Sequence, residues 1–161
     1  LELLICDDGS SNNTLQQINR IKKQYTKIRV FHYEQNHGAA YARNLCIKKA
    51  KGQYIAIMDA DDISHPDRLK KQLDYLTLNN LDLVGTSVRL IDIDGKEIGV
   101  KIPPNKSRIN KLLPYKSCFI HPTILAKKKL LLDVGGYNAG FNSEDYDLGC
   151  DCGAAMHCGI I

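Results

Sequence analysis

Tyr54-Ile55-Ala56-Ile57-Met58 is an apolar run of strand length that stops abruptly in Asp59-Ala60-Asp61-Asp62. A buried strand normally ends in an ordinary turn, because unpaired carboxylates repel one another and cost several kcal/mol to desolvate. A divalent cation between the acids reverses that cost. Mg²⁺ and Mn²⁺ prefer oxygen ligands, and Mg²⁺ usually takes one or two carboxylates and leaves its other positions to waters and substrate phosphates. The carboxyl end of a strand is also where open α/β sheets bind their ligands. The run therefore predicts a metal-assisted site for a phosphorylated ligand. The plainer alternative is a solvated acidic turn that caps the next helix.

Around this run, strand and helix signals alternate. Leu1 to Cys6 reads as a strand, followed by the turn Asp7-Asp8-Gly9-Ser10-Ser11. Asn13 or Thr14 caps a helix whose apolar face is Leu15, Ile18, Ile21 and Tyr25. Ile28 to Tyr33 is a second strand, and Asn36-His37-Gly38 turns into a helix through Ala39, Ala42, Leu45, Cys46 and Ala50, ended by Gly52. After the acidic run, Ser64 caps a helix with Pro66 near its first turn and Leu69, Leu73 and Leu76 on its buried face. Leu81 to Ile93 is strand-like, and Asp94-Gly95 turns it back into Glu97 to Ile102. Asp92-Ile93-Asp94-Gly95 has a superficial likeness to a calcium loop but lacks the remaining ligands and the closing Glu, so it reads as a hairpin turn.

Strands separated by single helices mean right-handed βαβ units and a largely parallel sheet. That arrangement puts Asp7-Asp8, Asn36 to Gly38 and Asp59 to Asp62 at the carboxyl ends of strands along one edge. Pro103-Pro104 marks a break, beyond which the pattern is less regular. At 161 residues the chain is about one domain, large enough for a core. A net charge of +4 with its basic residues spread over helical faces indicates a solvated surface rather than a nucleic-acid partner. The apolar runs are too short to span a bilayer. Of six cysteines, Cys6, Cys46 and Cys118 sit singly in apolar contexts as small buried hydrophobes, and no disulfide framework is visible, which favours a reducing, cytoplasmic setting.

The order of motifs carries a resemblance. Cys6-Asp7-Asp8-Gly9-Ser10, then Asn36-x-Gly38-x-x-x-Ala42-Arg43-Asn44, then Gly52-x-Tyr54 leading to Asp59-Ala60-Asp61-Asp62 and His65-Pro66-Asp67-Arg68-Leu69, resemble the family 2 glycosyltransferases. His121-Pro122-Thr123, Gly135-Gly136-Tyr137 and Glu144-Asp145-Tyr146-Asp147-Leu148 continue the likeness to about residue 148. Each motif alone is weak; their order and spacing together are specific.

The resemblance implies an α/β, Rossmann-like GT-A fold, a nucleotide-diphospho-sugar transferase domain with a mainly parallel central sheet flanked by helices. Residues 1–148 would form that single domain, with 1–102 as the nucleotide-binding half and 103–148 as the acceptor-side half. It implies transfer of a sugar from a nucleotide-sugar, often UDP-linked, to a saccharide or lipid-linked acceptor with inversion at the anomeric carbon. Asp61, with Asp59 nearby, would hold Mn²⁺ or Mg²⁺, which neutralises the diphosphate leaving group; Asp59 would alternatively contact the ribose. Asp7 or Asp8, with Asp8 preferred, would accept hydrogen bonds from the uracil or ribose, and Gly9 would let the backbone approach the nucleotide. Arg43 would face the base or the diphosphate, and Asp145 would take the proton of the attacking acceptor hydroxyl. His121 would contact acceptor or phosphate, or be held by packing near Pro122. Bacterial surface-polysaccharide assembly, peripheral to the inner face of the membrane, is the setting the resemblance suggests.

Each assignment has a plainer counterpart: an Asx turn at Asp7-Asp8, a surface ion pair for Arg43, an acidic first helical turn at Glu144, Asp145 and Asp147. Two departures from the family pattern also stand out. Its usual first strand and helix are absent before Asp7, which predicts a vacant central sheet position and an N-terminally incomplete fold. Gly149 to Ile161 replaces an expected amphipathic helix with a glycine- and cysteine-rich tail, so C-terminal incompleteness is expected too. Cys150, Cys152, His157 and Cys158 are zinc-ligand types, at spacings unlike the usual knuckles. Two other function classes follow: an inactive remnant or non-catalytic module, and a metal-dependent phosphatase-like enzyme that would use Asp59 as nucleophile.

Overall fold

The computed structural model describes residues 1–112, 115, 117–138, 148, 152 and 158–160. The elements follow in the order β1 (Leu3–Asp8), α1 (Thr14–Gln24), β2 (Ile28–Tyr33), α2 (Ala39–Lys49), β3 (Tyr54–Ala56), α3 (Arg68–Leu78), β4 (Leu83–Gly85), β5 (Val88–Ile91), β6 (Glu97–Lys101), α4 (Lys106–Leu112), a 3₁₀ turn at His121–Thr123, β7 (Leu125–Lys127), α5 (Lys128–Asp133) and β8 (Cys158–Ile160). The alternation of strand and helix through β4 is the expected βαβ order.

The strands are mixed rather than mainly parallel. β1 and β2 pair in parallel, Leu3 opposite Ile28 through Asp8 opposite Tyr33. β3 and β4 both pair antiparallel to β7, and β4 pairs in parallel with β8. Among the described residues, the β1–β2 pair and the β3–β7–β4–β8 sheet share no ladder.

The core lies on both faces of β4 and β7. Successive residues of a strand face opposite ways, so Leu83 and Ala126 join one cluster with Ile47, Ile57, Ile109, Phe119 and Leu131. Val84 and Leu125 join the other, with Leu76 and Leu81. Both Leu83 and Val84 are completely buried, which is why this short strand reads as a continuous apolar run rather than an alternating one.

Several local expectations shift. The strand-like stretch from Leu81 divides into β4 and β5, which lie in different sheets, because the chain leaves β4 at Thr86, whose N–H is taken by Thr123 Oγ1 at 3.0 Å. α3 starts at Arg68, with Asp67 rather than Ser64 at its N-cap. Its buried positions are Gln72 and Leu76, while Leu73 is exposed. α1 buries no residue fully, and Ile21 and Tyr25 on its expected apolar face are exposed. Cys6 and Cys46 are half-buried rather than buried, and Cys118 is buried as expected. The turn at Asp92 is a hairpin: β5 and β6 are antiparallel, and the Asp92 carboxylate accepts the N–H groups of Asp94 and Lys96 at 3.0 and 2.9 Å.

Candidate active site

β1 ends in two carboxylates with separate internal tasks. Asp7 is 4% exposed; it accepts a short hydrogen bond from the Ser10 hydroxyl and pairs with His32 Nδ1 at 2.9 Å. The parallel register that sets Asp7 opposite His32 makes that pair. The Ser10 bond is the main influence holding the Asp7 carboxyl below its ordinary range; burial opposes it and His32 adds to it. Asp8 instead grips the entry to α2, accepting the N–H groups of His37 and Gly38 at 2.9 and 2.7 Å. Asn36 closes the turn by donating to the Asp8 carbonyl at 3.1 Å. Gly9 has φ +73°, and a Cβ there would fall 2.7 Å from the Asn36 nitrogen. The close backbone approach that this glycine permits is thus to the β2–α2 turn of its own chain.

α2 carries Arg43 and Asn44 toward the second cluster. Arg43 Nη2 meets Asp59 Oδ1 at 3.2 Å, and its guanidinium carbon stands 5.4 Å from the centre of the Tyr137 ring. The ion pair joins α2 to the acidic run after β3, so the three polar clusters of the sequence are linked in series: Asp8 to the α2 entry, Arg43 to Asp59. Asp61 is exposed and accepts no hydrogen bond among the described residues. The carboxyl of Asp62 is raised above its ordinary range, first by desolvation and then by the charges of Asp59 and Asp61. Asp59 and Asp61 thus stand close enough to disfavour ionisation of Asp62.

Arg68 braces this corner. It donates from Nη2 to the Ile57 carbonyl at 2.6 Å, from Nη1 to the Pro122 carbonyl at 3.0 Å, and from Nε to Gln72 Oε1 at 3.0 Å. One guanidinium thus ties the strand end two residues before Asp59 to the residue after His121. Gln72, wholly buried, passes the connection on by donating to the Thr123 carbonyl at 2.7 Å. His121 is 8% exposed, with Nε2 2.7 Å from the Tyr137 hydroxyl. Arg43, Asp59, Lys101, Ser117, Phe119 and His121 line one cleft of about 580 Å³.

Placement of the expected site residues is therefore uneven. Arg43, Asp59 and His121 meet at the cleft; Asp7, Asp8 and Gly9 form the neighbouring β1 turn; Asp145, with Glu144 and Asp147, lies outside the described residues. Cys150 and His157 lie outside them as well, whereas Cys152 packs in the core. Among the described residues no three His, Cys, Asp or Glu side chains form a set that would hold a metal unaided. Sequence reasoning assigned no role to Asn44, Arg68 or Tyr137, although each stands in a quoted motif. His32 and Lys101 carried no motif signal.

A family model described as glycosyl transferase family 2 matches residues 1–135. The chain is 40% identical over 146 residues to the O-antigen biosynthesis glycosyltransferase WbnJ of Escherichia coli, a match covering 91% of this chain and 57% of that protein. It is 32% identical over 165 residues to the Escherichia coli UDP-Glc:alpha-D-GlcNAc-diphosphoundecaprenol beta-1,3-glucosyltransferase WfgD, covering 99% of this chain and 63% of that protein. The chain thus spans a little over half the length of the curated relatives it matches. Among solved structures it superposes on Staphylococcus aureus TarS with a TM-score of 0.77 at 20% identity, over 99% of this chain and 48% of the other. TarS has been solved with UDP and with UDP-GlcNAc. A mannosyltransferase of Pyrobaculum calidifontis, in complex with GDP-Man and Mn²⁺, gives a TM-score of 0.67 at 19% identity, over 92% of this chain and 41% of the other. The fold is GT-A, as the motif order implied.

Proposed function

Because this chain belongs to glycosyl transferase family 2, we propose that its cleft is the donor site of an inverting transferase that moves a sugar from a UDP-linked donor to a saccharide or lipid-linked acceptor. Family membership replaces the phosphatase-like reading. The observation that carries the proposal is the Arg43–Asp59 pair at the cleft, with the exposed Asp61 two residues on. A cation and a carboxylate side by side suit a ligand that brings both a diphosphate and a metal ion.

Mg²⁺ and Mn²⁺ need only one or two carboxylates when substrate phosphates complete the shell, and Asp59 at the cleft with the exposed Asp61 two residues on fits that requirement. Asp61, with Asp59, would hold the ion, which supplies Lewis-acid neutralisation of the departing diphosphate. Arg43 shares Asp59 and offers its remaining N–H groups to the diphosphate or base. Asp8 keeps acceptor capacity beyond its internal bonds, since a carboxylate has about four lone-pair positions, and would accept from the uracil or ribose, with the buried Asp7 supporting the turn behind it. Asp145 is the proposed base for the acceptor hydroxyl. Residues 1–102 serve the nucleotide and 103–148 the acceptor. WfgD, by its name, uses a UDP-sugar and a lipid-linked acceptor, which supports the same classes here. Work at a membrane surface requires no spanning segment, and among the described residues no helix is long and apolar enough to cross a bilayer.

Calorimetric titration of UDP with and without Mn²⁺, on the chain and on Asp61→Asn, tests the proposal. Manganese-dependent binding that the substitution abolishes is expected. A folded chain that ignores UDP under both conditions would overturn the proposal in favour of a non-catalytic module.

A further inference from the structure

We infer that Tyr137 is a positioning residue that joins the donor and acceptor sides of the cleft, its ring carrying Arg43 and its hydroxyl orienting His121. The inference rests on the donor-site reading above for its consequence, although not for its geometry.

Tyr137 is 3% exposed and does not line the cleft, so it acts through its neighbours. Three of its parts are engaged. Its backbone N–H donates to Asn44 Oδ1 at 2.8 Å, and its carbonyl accepts from Asn44 Nδ2 at 2.8 Å. Its ring faces the Arg43 guanidinium, with the guanidinium carbon 5.4 Å from the ring centre. Its hydroxyl lies 2.7 Å from His121 Nε2, the two rings edge to face at 5.6 Å. Arg43 and Asn44 are consecutive on α2, so one helical turn grips Tyr137 by ring and by backbone. Gly136 makes room: its φ is +77°, and a Cβ there would strike the Asn44 amide oxygen.

The physical consequence is a shared support. A cation held over an aromatic face gains electrostatic attraction that increases as water is excluded, so Tyr137 narrows the positions from which Arg43 can reach both Asp59 and a donor. A phenol hydroxyl can donate or accept, so its bond to Nε2 serves either tautomer; at 2.7 Å and out of water, what it fixes is the direction in which the imidazole points. Tyr137 belongs to the buried core cluster, and its hydroxyl meets a histidine that lines the cleft.

The test separates ring from hydroxyl in the full-length protein. Tyr137→Phe keeps the ring; Tyr137→Leu removes both. ¹⁵N NMR of the imidazole reads the His121 Nε2 environment, the Arg43 Nε–H shift reports the ring current, and UDP with Mn²⁺ is titrated by calorimetry. In Tyr137→Phe, the His121 Nε2 signal is expected to shift and broaden as the ring loses its single orientation, while the Arg43 shift is retained and UDP affinity stays within about twofold of wild type. In Tyr137→Leu the Arg43 shift is lost too, and UDP binding weakens by about fivefold, the equivalent of one exposed-to-buried cation–π contact. An unchanged His121 Nε2 signal in Tyr137→Phe overturns the inference, as does a loss of the Arg43 shift in that variant. Should wild-type protein ignore UDP, the donor-site reading fails, and the two NMR signals still decide the role of Tyr137. Failure of Tyr137→Leu to fold leaves the decision to Tyr137→Phe.

Discussion

Asn44 clasps the backbone of Tyr137 at both its donor and its acceptor, 2.8 Å each, across 93 positions of sequence. An amide side chain is one of the few groups that can do this, because it offers N–H and C=O together. Asn44→Ala leaves both backbone groups without their partner and should lower stability by about 2 kcal/mol in urea unfolding. Asn44→Asp should cost nearly as much, because a carboxylate cannot donate to the Tyr137 carbonyl. An Asp variant as stable as wild type would show that this donation contributes nothing.

Arg68 presents a different balance. Its burial pulls the guanidinium pKa down, and Asp62 partly offsets this. Arg68→Met keeps the stem but strands the carbonyls of Ile57 and Pro122 and the Gln72 amide oxygen. A loss of about 2–3 kcal/mol is expected, together with weaker Mn²⁺-dependent UDP binding, because the acidic run and His121 lose their common brace. Destabilisation without any change in UDP affinity would separate the brace from the site.

Acid should reveal Asp7. Its carboxyl is held below the ordinary 3.8 chiefly by the Ser10 hydroxyl. A depressed carboxyl pKa contributes stability that is complete above the unfolded value and disappears as pH falls through the folded one. Wild type should therefore exceed Asp7→Asn in stability at about pH 6, with the gap closing below pH 3.8. A gap of constant size through that window would mean that ionised Asp7 is not its source.

Cys46 is predicted to be inert. Burial, and next the neighbouring Cys6, raise its thiol pKa to about 11. Since the thiolate is the reactive form, alkylation at about pH 8 should run roughly two orders of magnitude slower than for an unperturbed cysteine. Mass spectrometry of the Cys46 peptide after timed iodoacetamide exposure measures this. Labelling at the rate of a free thiol would contradict the burial of this group.

Local pattern was enough for much of the fold. The order of strand and helix through β4 follows the pattern, a strand does start at Tyr54, although it ends at Ala56 rather than Met58, and the Asp92 turn does close a hairpin. These features depend on neighbours in sequence or on one helix face. Leu73 and Gln72 show where pattern stops: spacing favoured Leu73 as the buried residue, yet Gln72 is buried because Arg68, Thr123 and Val84 satisfy all its polar atoms. Such compensation from distant segments leaves no periodic trace.

Composition, periodicity and motif order by themselves determined the α/β class, the family and the line of carboxylates at the strand ends, because those are properties of short stretches of chain. Only the tertiary structure decided that β3 pairs with β7, that Asp7 meets His32, and that Tyr137 stands between Arg43 and His121. Pairings of that kind are set by strand register and by burial shared between remote segments. No local preference encodes them, since their energy exists only once the chain has brought both partners out of water.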